Sequence, residues 1–79
     1  FSAGDFNGDE QSDILIYQDP SRHIYKKLVL KENKIIGTLL YGDTRDGNWY
    51  FSLLGMQKDV SAMREDIIFG KHQVSEHLL

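Results

Sequence analysis

Cysteine is absent from this sequence, which removes disulfides, thiolate nucleophiles, thiolate zinc sites and cysteine-ligated iron–sulfur clusters together. Basic residues are in deficit. Nine Lys and Arg against twelve Asp and Glu leave a net charge of −3, the wrong sign for a nucleic-acid surface. No apolar run approaches the roughly 20 residues of a membrane span, and no signal-peptide pattern is seen, so neither nucleic acid nor membrane is an expected partner. The expected location is cytoplasmic. Histidine occurs three times, at His23, His72 and His77, and the last two are five apart rather than at the i, i+4 spacing of a helical metal pair. No glycine-rich phosphate loop is present, and no serine sits in a nucleophile elbow. No catalytic, cofactor-binding or metal residue is therefore assigned.

What remains is an ordinary globular composition, 41% apolar and 27% charged, in 79 residues. That is one domain, 1–79, with a marginal core, since a chain this short buries only about 60% of the surface its unfolded form exposes. With Phe1 in place of an initiating Met, it is expected to be a piece of a longer polypeptide. Asp13 to Tyr17 reads as a short strand stopped by Asp19-Pro20-Ser21. His23 to Lys31 and Lys34 to Tyr41 read as a hairpin around Glu32-Asn33. A two-residue loop sets Lys31 opposite Lys34 and Leu30 opposite Ile35, so that Ile24, Leu28, Leu30, Ile35, Leu39 and Tyr41 share the core face. Gly37 within the second strand points to close approach by another element. Asp46 is placed to cap a helix carrying Trp49, Tyr50, Leu53 and Leu54, with Gly55 as its stop. Val60, Met63 and Ile67 mark the inner stripe of a second helix closed by Gly70. The predicted fold is α+β, a three-stranded antiparallel meander with two short helices packed on one face. Residues 71–79 are read as a tail, a linker or a further helix.

Two groups of residues invite a functional reading. Asp5, Asn7, Asp9 and Asp13 set oxygen ligands at alternating positions, as in a Ca²⁺ loop of the FG-GAP kind, although Glu10 stands where such loops turn on a glycine. The plainer reading is a solvated loop whose side chains bond the local backbone. A small Ca²⁺-binding module is kept as the alternative. The second group is aromatic and basic. Trp49-Tyr50-Phe51 cannot direct three adjacent rings the same way on a helix, and Lys26 and Lys27 point to opposite faces of a strand. Tyr25, Lys26, Lys27, Trp49 and Tyr50 are the expected interface residues.

Ile24-Tyr25-Lys26-Lys27-Leu28-Val29-Leu30, Ile36-Gly37, Leu40-Tyr41-Gly42-Asp43-Thr44, Trp49-Tyr50-Phe51, Asp59-Val60-Ser61 and Ile68-Phe69-Gly70, taken in order, resemble one family. It is the large subunit of assimilatory NAD(P)H nitrite reductases, in the small domain that follows the FAD- and NAD-binding domains. The same domain type caps rubredoxin reductases. The resemblance implies a parent enzyme that moves electrons from NAD(P)H through FAD, an iron–sulfur cluster and sirohaem to reduce nitrite to ammonium in nitrate assimilation. It implies that this piece binds no cofactor itself and packs on the FAD- and NAD-binding domains of the same polypeptide as a non-catalytic docking module. Ala3-Gly4-Asp5 matches a flavin-contacting tripeptide of such reductases but lacks the upstream strand, so it is not read as a flavin ligand. Other possible parents are FAD-dependent NAD(P)H oxidoreductases such as a rubredoxin reductase, and a free-standing regulatory or dimerising domain is a third reading.

Overall fold

The computed structural model describes residues 1–72 and 74. Among them, β1 (Ser2–Gly4), β2 (Asp13–Asp19), β3 (Ile24–Lys31) and β4 (Lys34–Tyr41) form one antiparallel sheet in the order β1-β4-β3-β2. The helix α1 (Gly47–Met56) follows, and then two 3₁₀ turns, Ser61–Met63 and Ile67–Phe69. The architecture is α+β as expected, with one strand more and one helix fewer. β1 is the added strand, pairing Ser2, Ala3 and Gly4 with Leu39, Thr38 and Gly37. Three residues ending in glycine carry too little β signal to be read locally; the open edge of β4 recruits them.

The hairpin between β3 and β4 turns on Glu32 and Asn33, both with positive φ (53° and 62°), which suits the right-handed strand twist. Pairing begins as the loop dictates, with Lys31 opposite Lys34 and Leu30 opposite Ile35. The next pair is Val29 with Gly37, so Ile36 is an extra residue, a β-bulge. Beyond it every β4 side chain lies on the face opposite to the one that an unbroken register assigns. Thr38 and Leu40 are buried, Leu39 is half-buried and Tyr41 is 67% exposed. Leu39 and Tyr41, expected in the core, are therefore outside it. The hydroxyl of Thr38, taken inside by the same shift, donates to the Lys27 carbonyl at 3.3 Å.

The core lies on one side of the sheet. Leu28, Leu30, Ile35 and Leu40 from the strands meet Tyr50 and Leu53 of α1, and Val60, Met63, Ile67, Ile68 and Val74 close it. Leu15 and Tyr17 of β2 and Trp49 and Leu54 of α1 pack at its margin. Asp46 occupies the position before α1, but its carboxylate makes no cap bond and instead accepts the Lys71 amide at 3.4 Å. Gly55 does not end the helix. The chain runs to Met56, and Gln57 takes the left-handed conformation with its amide on the Leu53 and Leu54 carbonyls.

The second expected helix is replaced by the two 3₁₀ turns. Along this path Ile67 and Ile68 enter the core with Val60 and Met63, and the Asp59 carboxylate holds the entrance by accepting the Ser61 amide at 2.9 Å. Lys71 and His72 start a further helical turn and Val74 is buried, while Gln73 and residues 75–79, with His77 and most of the expected tail, lie outside the described residues.

Two substitutions probe this packing. The backbone of Asp5 and Phe6 crosses Gly37, and a Cβ there would collide with the Asp5 carbonyl. Gly37→Ala is expected to cost at least about 1–3 kcal/mol, the usual range for forcing atoms into a packed site, read as a lower urea midpoint. Tyr50 is fully buried and its hydroxyl donates to the Ile67 carbonyl at 2.7 Å. Tyr50→Phe removes this bond and leaves the Ile67 carbonyl with the Gly70 amide at 3.2 Å, so it is expected to cost about 0.5–1.5 kcal/mol by the same measurement.

Candidate docking face

The sheet has a second face, and cross-strand pairing arranges it in three rows. Ile14, Val29 and Gly37 form the first row, Ile16, Lys27 and Leu39 the second, and Gln18, Tyr25 and Tyr41 the third. The first row is partly roofed. The chain from Asp5 passes over Gly37, and Gly8 approaches Val29 so closely that a Cβ on it would lie 2.9 Å from the Val29 Cγ1. Val29 is accordingly buried on a face that otherwise looks outward. The other two rows lack this cover. Ile16 is 54% exposed and Tyr41 67%, and Ile14 at the margin is 45% exposed. At the end of the third row an open groove of about 450 Å³ is lined by Gln18, Pro20, His23, Ile24, Tyr25 and Tyr41.

The five expected interface residues divide. Tyr25 and Lys27 stand on this outer face, half-buried. Lys26 and Tyr50 are buried within the domain. Strand alternation sends Lys26 to the side opposite Lys27, and Tyr50 is the ring of the aromatic triplet that α1 turns inward. Trp49 is half-buried on the core margin, its ring 5.1 Å from that of Tyr50, and Phe51 is the ring left exposed. Sequence reasoning missed Ile14, Ile16, Leu39 and Tyr41. The alternation of Ile14 and Ile16 against Leu15 and Tyr17 is concealed in a continuous apolar run. Leu39 and Tyr41 reach this face only through the bulge at Ile36.

The acidic loop is spent on local bonds. Asp5 accepts the Gly8 amide at 3.1 Å. Asp9 accepts the Gln11 amide at 2.8 Å and the Ser12 hydroxyl at 3.1 Å, and Lys31 lies 3.3 Å from its other oxygen. The Gln11 amide foremost, then Lys31, holds the Asp9 carboxyl below its ordinary range. Asp13 points to Arg64 at 3.2 Å. Among the described residues no three His, Asp or Glu side chains converge as a metal site, so the structure does not bring Asp5, Asn7, Asp9 and Asp13 together as ligands.

A charged cluster lies on the core side of the sheet. The Asp43 carboxylate accepts two Arg45 guanidinium bonds, at 3.0 and 2.9 Å, and the Lys26 ammonium sits 3.6 Å away. Lys26 in turn lies 5.9 Å from the centre of the Tyr17 ring, which also meets the Phe69 ring edge-on at 5.8 Å. These residues line a cleft of about 200 Å³ together with Arg22 and Ile24. Each cation in it other than the exposed Arg22, which pairs with Asp19 at 2.7 Å, is matched to Asp43. The cleft is thus an internal tie between β3 and the loop after β4.

Arg45 first, and Lys26 after it, hold the Asp43 carboxyl far below its ordinary value of 3.8. A depressed carboxyl contributes stability above its unfolded pKa, and that stability is lost as pH falls through the folded one. Asp43→Asn is therefore expected to lower the urea midpoint at pH 7 and to flatten its decline on the acid side of the unfolded pKa. Parallel midpoints for the two proteins across that range would remove Asp43 from the acid response.

Comparison with known proteins adds the lineage. The family model for the rubredoxin NAD+ reductase C-terminal domain matches residues 1–58, which span all four strands and α1. The chain is 44% identical over 61 residues to the nitrite reductase (NAD(P)H) of Bacillus subtilis (strain 168), covering 77% of this chain and 8% of that protein. It is 34% identical over 68 residues to the assimilatory nitrate reductase electron transfer subunit of the same organism, covering 86% of this chain and 9% of that one. The chain thus spans less than a tenth of the length of these curated relatives. No solved structure matches it. No helix among the described residues is long and apolar enough to cross a membrane. On a family match that covers the whole sheet and its helix, the chain belongs to the rubredoxin NAD+ reductase C-terminal domain family.

Proposed function

We propose that this chain is a non-catalytic docking module of an NAD(P)H- and FAD-dependent nitrite reductase large subunit, packed on the FAD- and NAD-binding domains of the same polypeptide. The observation that carries the reading is the outer face. Two adjacent rows of a sheet present Ile16, Leu39, Tyr25 and Tyr41 without a covering layer, and contiguous apolar surface of this kind marks an interaction site. The names of the two Bacillus relatives, a nitrite reductase and an electron transfer subunit for nitrate assimilation, favour that parent. In this reading the flavin, the iron–sulfur cluster and the sirohaem are held elsewhere in the parent, which acts in the cytoplasm. This chain has no cysteine to offer a cluster. Its contribution is to hold neighbouring domains in place.

The chain purified alone is expected to be colourless and to leave NADH and NADPH unoxidised with or without nitrite. Removing the segment from the full-length parent is expected to lower the melting temperature of its flavin domain. Flavin absorbance that co-purifies with the isolated chain, or nucleotide oxidation by it, would overturn the reading.

A further inference from the structure

We propose that the open rows of the outer face seat on an apolar patch of another domain of the same polypeptide, and that Lys27 closes an ion pair there with a carboxylate of that domain. The inference rests on the docking reading above and deepens it by naming the chemistry of the occupant.

Lys27 is the charged residue of the two open rows, between Ile16 on β2 and Leu39 on β4. Other cations nearby are already matched. Lys26 pairs with Asp43 on the opposite face, and Lys31 with Asp9. No carboxylate of the described residues pairs with Lys27. An ammonium at the centre of a desolvated interface is costly unless a counter-charge meets it. The occupant must therefore bring an acid to that point and apolar side chains around it, one of them suited to the groove between Tyr25 and Tyr41. A second copy of this chain fits badly. A two-fold contact through these rows brings two Lys27 ammoniums into one interface whose rows hold no carboxylate, and like charges there repel. The rest of the parent polypeptide is the better source, since the relatives carry more than ten times the matched length.

The test is zero-length carbodiimide coupling on the full-length polypeptide, with amine acetylation run in parallel and both mapped by peptide mass spectrometry. Lys58, exposed just beyond α1, is the internal standard. The expected result is a link from Lys27 to an Asp or Glu outside this segment, lost in Lys27→Gln, with Lys27 protected from acetylation relative to Lys58. A Lys27 link between two copies would overturn the proposal in favour of self-association. Equal acetylation of Lys27 and Lys58 without a Lys27 link would overturn it outright. Either failure leaves the non-catalytic reading intact if the isolated chain is colourless and inactive. A flavin bound by the isolated chain would overturn that reading whatever Lys27 does.

Discussion

Ile36 is one residue more than the β3–β4 pairing needs, and both faces of the sheet follow from it. Before the bulge, the two-residue loop at Glu32-Asn33 places Leu30 and Ile35 in the core. After it, the side chains of β4 exchange sides. Leu40 and Thr38 enter, and Tyr41 and Leu39 leave. The bulge also builds the edge beyond β4. The Ile36 carbonyl accepts the Asp5 amide at 2.8 Å, where β1 ends and the chain swings over Gly37. A side chain at position 37 would close that crossing, so bulge, glycine and crossing loop depend on one another. The loop then covers Gly37 and Val29 of the first row and stops there, which is why the other two rows are open.

Electrostatics follow the same division. Adjacent lysines on β3 point to opposite sides of the sheet, and their surroundings differ accordingly. Lys26 lies among apolar side chains, which is tolerable because Asp43 and the face of the Tyr17 ring receive its charge. Arg45, largely exposed, supplies the second cation to Asp43 and keeps it ionised. The cluster thus ties the loop after β4 to β3. Among the described residues no carboxylate meets Lys27 in this way.

Much of this was legible in the sequence. The α+β class, the hairpin and its loop, the inward Val60, Met63 and Ile67, and the approach at Gly37 follow from local rules of period, turn chemistry and steric room. What was not legible depends on contacts distant in sequence. β1 exists because β4 offers an edge, not because Ser2-Ala3-Gly4 favours extension. The bulge leaves no mark, since Ile36 is as β-prone as its neighbours. Its consequence was therefore invisible too: Leu39 and Tyr41 on the outside. The second helix failed for a related reason. Its period was right, but the segment is tied to partners distant in sequence, the Val60 amide to the Asn33 carbonyl and the Ile67 carbonyl to the Tyr50 hydroxyl, and it closes as two 3₁₀ turns. Of the residues expected at an interface, Tyr25 and Lys27 are put on the outer face by strand alternation, while the burial of Lys26 and Tyr50 needed the core to be known first.

The size of the domain explains why a face is left over. A sheet is stable when each apolar side is covered by another layer, or when one side is polar enough to meet water. Here α1 and the 3₁₀ turns use up the chain after β4 on one side, and the loop of residues 5–12 reaches across a single row of the other. The remaining rows alternate in the wrong sense for solvent, with Ile16, Leu39, Tyr25 and Tyr41 set around one lysine. Nothing in the described chain extends far enough to cover them. A covering layer from outside would bury that surface at about 25 cal/mol for each Å² removed from water, and so add to a core that is marginal at this length. Stability and docking would then have the same source, because the layer that the sheet lacks is the surface on which it rests.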